Sequence, residues 1–250
     1  MPLALVTGAT AGLGAEFATQ LAGRGYDLVL VARDAERLEA ARERLGRVRV
    51  EALPADLTTD EGCAAVAARL AVGDVDLLVN NAGIGTYSPF GTADLAREEA
   101  QLDLNVRAVL RLSHAAVRAM TARGSGRILN VSSVAGFVPR GGNATYSASK
   151  AWVTMFSEAL AVQLAGSGVT VTAVCPGFTH TEFHERAQAD MSHVPERMWL
   201  DAADVVREGL DDTLAGKPVS VPNRLYKSMV VAARTLPRPV LRAIMARRGM

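Results

Sequence analysis

Short, mostly apolar segments alternate with amphipathic segments of helical period along most of this chain. Leu3–Thr7 and Asp27–Ala32 are almost entirely apolar, whereas Ala35–Leu45 repeats its apolar residues at helical steps. A strand without a polar face is buried on both sides, which is typical of a parallel sheet covered by helices. With right-handed crossovers, the pattern predicts a three-layer, doubly wound α/β fold.

Seven strands and six helices follow from this pattern. The predicted strands are Leu3–Thr7, Asp27–Ala32, Val48–Leu53, Val75–Val79, Arg127–Val131, Val169–Val174 and Pro218–Val221. The predicted helices are Leu13–Arg24, Ala35–Leu45, Thr59–Ala71, about Leu95–Met120, Tyr146–Leu164 and Asp201–Leu214. No segment between them has the composition of a linker. We therefore expect a single Rossmann-fold domain at residues 1–222, followed by a C-terminal extension at 223–250.

The composition argues against several classes of protein. The net charge is +1, which disfavours nucleic acid as a main partner. No apolar run reaches the roughly 18 residues of a membrane span, and the first residues lack the basic start of a signal peptide. Cys63 and Cys175 lack the spacing of a zinc site, and the four histidines form no metal-ligand pattern. We expect a cytoplasmic protein without a metal.

The first predicted strand runs into a glycine-rich turn at residues 7–14, TGATAGLG, and a helix follows. Gly8 permits a tight turn, Gly12 lets the backbone approach a pyrophosphate, and Gly14 allows helix and strand to pack closely. The N-terminus of the helix supplies free N–H groups and a partial positive charge. This position in the chain predicts a dinucleotide site rather than an ordinary turn.

The turn resembles the Thr-Gly-x-x-x-Gly-x-Gly motif of the short-chain dehydrogenase/reductase family. Further motifs of that family follow within residues 3–185: Asn80-Asn81-Ala82-Gly83, Asn105, Ser132-Ser133, Tyr146-x-x-x-Lys150 and Pro176-Gly177. The resemblance implies a seven-stranded parallel sheet and a nicotinamide cofactor. It also implies a homodimer or homotetramer packed through the two long helices.

The resemblance further implies which residues contact the cofactor. Phe178 and Thr179 would lie against the nicotinamide, and Thr181 would reach its carboxamide or the phosphates. Besides Tyr146 and Lys150, the implied contacts are Gly8, Thr10, Ala11, Gly12, Leu13, Gly14, Asp56, Leu57, Asn81, Ala82, Gly83, Pro176, Gly177, Thr179 and Thr181.

The end of the second predicted strand indicates which nicotinamide cofactor is used. In this fold, an acid there hydrogen-bonds the ribose 2′-hydroxyl, whereas an arginine accommodates a 2′-phosphate. The strand ends in Ala32 and Arg33, and a guanidinium pairs with phosphate through its planar fork. We predict NADP(H); the alternative is that Arg33 is a surface residue beside Glu36.

Four residues are predicted to carry proton transfer. Tyr146 and Lys150 are four apart on a predicted helix, so both lie on one face, where the ammonium lowers the tyrosine pKa. Ser133, with Ser132 as its rival, would hydrogen-bond the substrate oxygen. Asn105 resembles the family's asparagine that holds a water in a relay to Lys150. Its alternative role is to satisfy helix backbone as a buried side chain.

The segment between Ser133 and Tyr146 is predicted to form one wall of the substrate pocket, and those two residues to bind the substrate itself. Residues from about 180 to 200 are rich in Phe, Met, Pro and Trp, which fits a lid over the pocket. For Arg140, a solvated loop position is favoured over contact with an anionic group. The residues expected to make the pocket apolar are Phe137, Val138, Phe178 and Phe90.

The C-terminal extension is basic and amphipathic. From Thr213 onward the chain has eight Lys or Arg and no acid, which leaves an excess of acid before it. The apolar stripes of two predicted helices are Leu225, Met229, Ala232, Ala233 and Leu236, then Val240, Leu241, Ile244 and Met245, with Arg242, Arg247 and Arg248 facing water. Packing on the protein itself is favoured; contact with an anionic membrane and a solvated basic face remain open.

Two functions from different classes fit these features. The favoured one is an NADP(H)-dependent oxidoreductase that interconverts a carbonyl and an alcohol on a small apolar molecule, with Tyr146 as acid and base. The alternative is a cofactor-binding regulatory or scaffold protein of the same fold that does no chemistry. An incomplete catalytic set would favour this alternative, and the set here is complete.

Overall fold

The computed structural model describes residues 1–187, 189–192 and 194–247. Seven parallel strands among them form one sheet. The strands are β1 (Leu3–Thr7), β2 (Asp27–Ala32), β3 (Val50–Pro54), β4 (Leu77–Asn80), β5 (Gly126–Val131), β6 (Val169–Val174) and β7 (Val219–Ser220). Their order across the sheet is β3-β2-β1-β4-β5-β6-β7. The predicted doubly wound Rossmann fold is confirmed, with strand ends shifted by one or two residues.

Helices cover both faces of this sheet and complete the three layers. They are α1 (Gly12–Gly23), α2 (Ala35–Arg44), α3 (Asp60–Ala71), α4 (Leu95–Leu102), α5 (Val109–Arg123), α6 (Ala144–Gln163), α7 (Phe183–Arg186), α8 (Ala202–Leu214), α9 (Arg224–Thr235) and α10 (Arg238–Arg247). Phe17, Leu38 and Leu210 bury α1, α2 and α8 against one face. Val66 and Leu112 bury α3 and α5 against the other.

The direction of winding reverses at β1. Val6 pairs with Leu30 of β2 on one side and with Val79 of β4 on the other. The chain moves outward from β1 to β3 and then returns to form β4, so the connections after β1 and β4 lead to helices on opposite faces of the sheet. In doubly wound sheets, this switch point leaves a crevice at the carboxyl ends of the strands, where ligands bind.

The long helix predicted from Leu95 to Met120 is interrupted. Between α4 and α5 the chain forms a π-helical turn, Asp103–Ala108. Its Asn105 side chain hydrogen-bonds the backbone of Ile84 in the loop after β4, accepting from the N–H at 3.0 Å and donating to the carbonyl at 2.8 Å. Such turns widen a helix by one residue and are frequent at functional sites.

The apolar stripe predicted for α9 is wrong in most of its residues. Tyr226, Val230 and Ala233 are buried, whereas Leu225 and Met229 are about two-fifths exposed. Both sets have helical spacing, so apolarity alone does not choose between them. In α10, Leu241 is buried and Met245 is half-buried, while Val240 and Ile244 are exposed. Arg248, predicted to face water, lies outside the described residues.

No helix in the described part of the chain has both the length and the apolarity needed to cross a membrane. Among the same residues, no group of three or more His, Cys, Asp or Glu side chains is arranged to hold a metal ion.

Candidate active site

A cavity of about 1200 Å³ follows the carboxyl ends of the strands. It begins at the glycine turn after β1, passes the loops after β4 and β5, and ends against α9 and α10. Of the predicted site residues, those that line it are Gly8, Thr10, Ala11, Gly12, Leu13, Arg33, Asp56, Leu57, Asn81, Ala82, Gly83, Ser133, Phe137, Tyr146, Lys150, Pro176, Gly177, Phe178, Thr179 and Thr181.

The glycine turn depends on two positive φ angles and one close approach. Gly8 and Gly12 have positive φ angles, +65° and +50°, which only glycine adopts readily. A Cβ on Gly14 would lie 2.1 Å from the Gly8 carbonyl oxygen and 2.5 Å from Asn81 Nδ2. Gly14 does not line the cavity itself, and its predicted cofactor contact stays a prediction. Its role is to let α1 pack against the turn.

Thr7 and Asn81 hold the turn against the loop after β4. The Thr7 hydroxyl accepts hydrogen bonds from the backbone N–H groups of Asn81 and Ala82, both at 3.0 Å. Asn81 Nδ2 donates to the Thr7 carbonyl at 2.9 Å. The two loops that border the switch point are therefore fixed to each other, and the floor of the cavity is rigid.

The far end of the cavity lies over β2 and β3 and is rich in arginine. Arg33 lines it and is exposed. Burial would raise the pKa of Asp56, but hydrogen bonds from Thr58 and, to a smaller extent, the charge of Arg33 lower it. Asp34 accepts a hydrogen bond from the N–H of Arg37 and so caps α2. Arg37 also lines this end and donates to the Thr10 carbonyl at 3.3 Å. The sequence analysis missed Arg37, which lies in the first turn of α2, four residues after Arg33.

Tyr146 and Lys150 lie one turn apart on α6, in the middle of the cavity. Both are buried, with side chains 7% and 5% exposed. The Lys150 Nζ is 5.7 Å from the centre of the Tyr146 ring and donates a hydrogen bond to the Val131 carbonyl at 2.9 Å. The tyrosine ring is flanked by Phe183, with ring centres 5.7 Å apart, and by Tyr87 at 6.5 Å.

The predicted direction of the Tyr146 pKa is wrong. Burial raises it, and the neighbouring Tyr87 adds to the rise, while a hydrogen bond with Ser133 and the charge of Arg140 oppose it. Burial also lowers the pKa of Lys150 to about 8. Each group lies where its charged form is disfavoured, and the ammonium is directed at the Val131 carbonyl. Tyr146 is therefore a protonated phenol at neutral pH.

Of the two neighbouring serines, Ser133 is the one next to Tyr146. Ser133 Oγ hydrogen-bonds the tyrosine and accepts from the Ala135 N–H at 3.1 Å. Ser132 Oγ is instead 2.7 Å from both the Lys150 carbonyl and Thr154 Oγ1, inside the fold. The strand alternation after β5 separates the two hydroxyls and leaves Ser133 facing the reaction space.

Asn105 does not line the cavity but lies directly beneath it. A Cβ on Gly83 would lie 3.0 Å from Asn105 Oδ1 and 3.5 Å from Lys150 Nζ, so both side chains approach the loop after β4 at the same point. Asn105 Nδ2 also lies 3.3 Å from Ser149 Oγ. The side chain connects the π-helical turn, the loop after β4 and α6.

The substrate end of the cavity is lined by rings and aliphatic side chains. Phe137, Val138 and Phe178 line it as predicted, whereas Phe90 is 65% exposed on a short turn and is absent from the wall. Phe183, His184 and Met198 of the predicted lid segment also line this end. Lining residues that the sequence analysis did not assign to the pocket include Tyr87, Tyr226, Met229, Val230 and Met245.

Arg140 also lines this end, contrary to the favoured prediction of a solvated loop residue. It is half-buried, and its guanidinium carbon lies 5.6 Å from the centre of the Phe178 ring. A cation held over an aromatic face is attracted by the ring's quadrupole. The arginine is therefore part of the pocket wall.

Tyr226 of α9 joins the C-terminal extension to the base of the predicted lid. Its hydroxyl donates to the Met198 carbonyl at 2.7 Å and accepts from the Phe178 N–H at 3.1 Å. The Leu200 N–H donates a hydrogen bond to the Phe178 carbonyl at 2.8 Å, which joins the two ends of the predicted lid segment. A Cβ on Gly177 would lie 2.1 Å from the Tyr226 ring, so glycine is needed there for close packing.

A doubly wound sheet with a glycine turn at its switch point defines a dinucleotide-binding α/β protein. The family model for short chain dehydrogenases matches residues 2–192. The chain belongs to the short-chain dehydrogenase/reductase family and is an oxidoreductase of that family.

Individual relatives agree with this assignment. Sulfoacetaldehyde reductase 2 of Chromohalobacter salexigens is 39% identical over 186 residues, covering 72% of this chain and 74% of the relative. The structure of a short-chain dehydrogenase from Sphingobium yanoikuyae in complex with NADPH has a TM-score of 0.86 at 36% identity, covering 94% of both chains. A bulky-bulky ketone specific alcohol dehydrogenase from Comamonas testosteroni has a TM-score of 0.82 at 32% identity, covering 94% of this chain and 92% of that one.

Proposed function

We propose that this protein is an NADP(H)-dependent reductase that interconverts a carbonyl and an alcohol on an apolar small molecule, with Tyr146 as the acid and base. The observation that carries the proposal is the position of Tyr146. Its side chain lies in the middle of a cavity that joins a dinucleotide-type glycine turn to an apolar pocket, with Ser133 hydrogen-bonded to it and Lys150 one turn away. The catalytically silent alternative gives no reason for these three groups to meet there.

The glycine turn fits the phosphates of a dinucleotide. α1 begins at Gly12 after Ala11, and alanine offers no side-chain acceptor for the first N–H groups of the helix. The remaining predicted contacts, from Thr10 to Thr181, lie along the same cavity. The relative from Sphingobium yanoikuyae, whose structure contains NADPH, supports a nicotinamide cofactor here.

Preference for NADP(H) is assigned to the arginines over β2. Arg33 and Arg37 line the end of the cavity where an adenosine ribose lies in this fold. Asp34, the nearest acid in sequence, is engaged as the cap of α2 and is not placed as a ribose ligand. Two guanidinium groups favour a 2′-phosphate over a free hydroxyl.

In the reductive direction, Tyr146 donates its proton to the substrate oxygen as negative charge develops on it. NADPH supplies the hydride to the carbonyl carbon when bound. Because burial keeps Tyr146 protonated at neutral pH, it is an acid ready for reduction. Ser133 donates a second hydrogen bond to the same oxygen. Lys150, whose Nζ lies 5.7 Å from the centre of the ring, is proposed to take part in returning a proton to Tyr146 after each turnover.

Asn105 is proposed to position this group rather than react. Its side chain bonds the Ile84 backbone and approaches Lys150 at the loop after β4. A water held there would connect Lys150 with bulk solvent and return a proton to Tyr146 after each turnover. The described contacts support both this role and simple support of the π-helical turn.

The C-terminal extension is proposed to complete the substrate pocket. Lys227 pairs with Glu208 at 2.6 Å and Arg234 with Glu158 at 3.2 Å, so part of the basic charge neutralises acids of the body. These contacts favour packing on the protein's own surface. Contact with an anionic membrane stays a prediction, tested by flotation with anionic liposomes, as do the cytoplasmic location and the homodimer or homotetramer.

The proposed function is tested by following NADPH absorbance with a panel of ketones and aldehydes of increasing apolar size. We expect consumption that rises with apolar bulk and is much slower with NADH. Failure of the whole panel, or equal use of NADH, would overturn the assignment.

A further inference from the structure

His184 of α7 lies within a group of aromatic rings at the substrate end of the cavity. Its imidazole meets the rings of Phe183 and Trp199 edge-on, at 5.4 and 5.2 Å between ring centres. Phe178 lies 5.8 Å away and Tyr87 lies 6.4 Å away, both with inclined ring planes. His184 itself lines the cavity. A polar ring therefore occupies a place where packing alone would favour a phenylalanine.

The imidazole of His184 has no hydrogen-bond partner among the described residues, and its Nδ1 is buried. The tyrosines nearby differ in this respect. The Tyr226 hydroxyl bonds two backbone groups, and the Tyr87 hydroxyl bonds the Asn143 side chain. An unpaired polar atom in apolar surroundings destabilises the folded chain. A hydrogen-bonding group from outside the chain would relieve part of this penalty.

The buried position of Nδ1 determines which nitrogen of His184 carries the proton. Burial lowers the pKa of His184, and the charge of Arg140 lowers it further, so the ring is neutral at neutral pH. A neutral imidazole has one N–H donor and one acceptor. Buried N–H groups without an acceptor are rarer in proteins than unpaired acceptors, which makes Nδ1 the unprotonated nitrogen. The proton is then on Nε2, which is not buried and can donate to a ligand in the cavity.

Phe183 separates His184 from the reacting end of the cavity. Its ring centre is 5.7 Å from that of Tyr146 and 5.4 Å from that of His184. Tyr87 makes a second connection, at 6.5 Å from Tyr146 and 6.4 Å from His184. A substrate with its carbonyl oxygen at Tyr146 therefore reaches His184 only with atoms several bonds from that carbonyl. The rings along this path favour an apolar skeleton between the two points.

We propose that His184 donates a hydrogen bond from Nε2 to a second oxygen of the substrate. The substrate is then an apolar carbonyl compound with a neutral carbonyl, ether or hydroxyl oxygen at the end remote from the reacting carbon. Tyr146 and Ser133 hold one oxygen and His184 holds the other, which fixes the skeleton at both ends. This inference rests on the proposed function and adds the chemical class of the substrate. His184 determines specificity and takes no part in the proton transfer.

The test compares a bicyclic aryl ketone with the same ketone bearing a methoxy group, which is moved round the ring remote from the carbonyl. At the position that matches His184, wild type is expected to show a kcat/KM at least about fivefold above that for the plain ketone. His184→Phe keeps an aromatic ring and removes both nitrogens, so this ratio is expected to fall to about one. Activity on the plain ketone should change little.

Two further substitutions test which nitrogen is used. The side-chain amide of glutamine reaches the place of Nε2 and that of asparagine the place of Nδ1, so His184→Gln should retain most of the preference and His184→Asn should lose it. His114→Gln is the matched control and should leave the ratio unchanged, since His114 is exposed on α5 and lies outside the cavity lining.

Both substrates are measured in each variant, so the ratio is insensitive to a loss of active protein. Equal ratios in wild type and His184→Phe, or no preferred methoxy position in wild type, would overturn the proposal.

A binding measurement distinguishes failure of this inference from failure of the proposed function. Calorimetric titration with the methoxy compound that lacks the ketone, and with its parent hydrocarbon, measures the contribution of His184 without any reaction. A preference for the ether that depends on His184, without turnover of any carbonyl, would retain this site and refute the proposed reaction. Turnover of plain ketones without such a preference, in binding or in kinetics, would refute the site and retain the reaction.

Discussion

Replacing Tyr226 with phenylalanine tests whether the C-terminal extension is an integral part of the site. The ring of Tyr226 packs on Gly177. Its hydroxyl hydrogen-bonds the Phe178 N–H and the Met198 carbonyl, and so connects α9 to both ends of the lid segment. Tyr226→Phe keeps the ring and removes only the hydroxyl. The Met198 carbonyl then loses its donor and the Phe178 N–H loses its acceptor, in a region where Tyr226 itself is 2% exposed.

The magnitude follows from these two unsatisfied groups. Leaving one buried polar group unpaired costs about 1–3 kcal/mol. Because the two backbone groups are partly buried, we take the lower part of this range for each and expect a total loss of about 2 kcal/mol. For a domain of this size, that corresponds to a fall in Tm of roughly 4–8 °C. The looser lid base should also raise KM for the carbonyl substrate more than it changes kcat.

The loss of stability is measured by thermal and urea unfolding of the purified variant, and the change in KM by steady-state kinetics. Tyr26→Phe is the matched control, since Tyr26 lies outside the cavity lining and its hydroxyl makes no hydrogen bond among those described. A Tm for Tyr226→Phe equal to that of the control, with unchanged KM, would refute the role assigned to the hydroxyl.

Three further predictions concern the cofactor end and the buried lysine. Arg33→Asp should raise KM for NADPH at least about tenfold and leave KM for NADH nearly unchanged, in steady-state assays; an unchanged NADPH value contradicts the assignment. Gly14→Ala should lower the free energy of unfolding by about 1–3 kcal/mol in urea, because its Cβ would meet the Gly8 carbonyl oxygen at 2.1 Å. Gly23→Ala on the same helix is the control and should not lower it, since the space around Gly23 is open. Lys150→Met should abolish turnover. Since burial lowers the pKa of Lys150 from 10.5 to about 8, wild type should gain stability relative to this variant as the pH rises from 8 to 10.5, and parallel Tm curves would contradict this.

The fold was predictable because its main signal is local. Segments such as Leu28–Val31 are apolar on every residue, and only strands buried on both faces, or buried helices, accommodate that. The interruption at Asp103–Ala108 was not predictable, since it depends on a bond from Asn105 to Ile84, 21 residues away in sequence. Nothing in the local periodicity distinguishes a helix with a π-helical turn from one without.

The cofactor end of the site was predictable for the same reason. Its motifs lie at the ends of adjacent strands, where chain order alone brings Gly8 and Asn81 together. The packing role predicted for Gly14 has the same origin, since a Cβ there would meet the Gly8 carbonyl of the turn. Arg37 was not predictable in this way, because its approach to Thr10 depends on how α2 packs against the glycine turn.

The substrate end depends on contacts between distant segments, and most errors lie there. Tyr226 lies outside the predicted α9 stripe. A buried hydroxyl is costly unless it is satisfied, and its partner groups at Met198 and Phe178 are apparent only in the folded chain. Phe90 is exposed although it was predicted to line the pocket, and Arg140 lines the pocket although it was predicted to be solvated. Loop position decided both, and loop position is not encoded in periodicity.

Tyr146→Phe, assayed at saturating NADPH with the best ketone of the panel, is the most direct test of the central claim. The variant keeps the ring packed between Phe183 and Tyr87 and removes only the donating hydroxyl. With cofactor binding unchanged by fluorescence titration, kcat is expected to fall by about 10²- to 10⁴-fold. Full turnover by a folded Tyr146→Phe protein would contradict the assignment of Tyr146 as the proton donor.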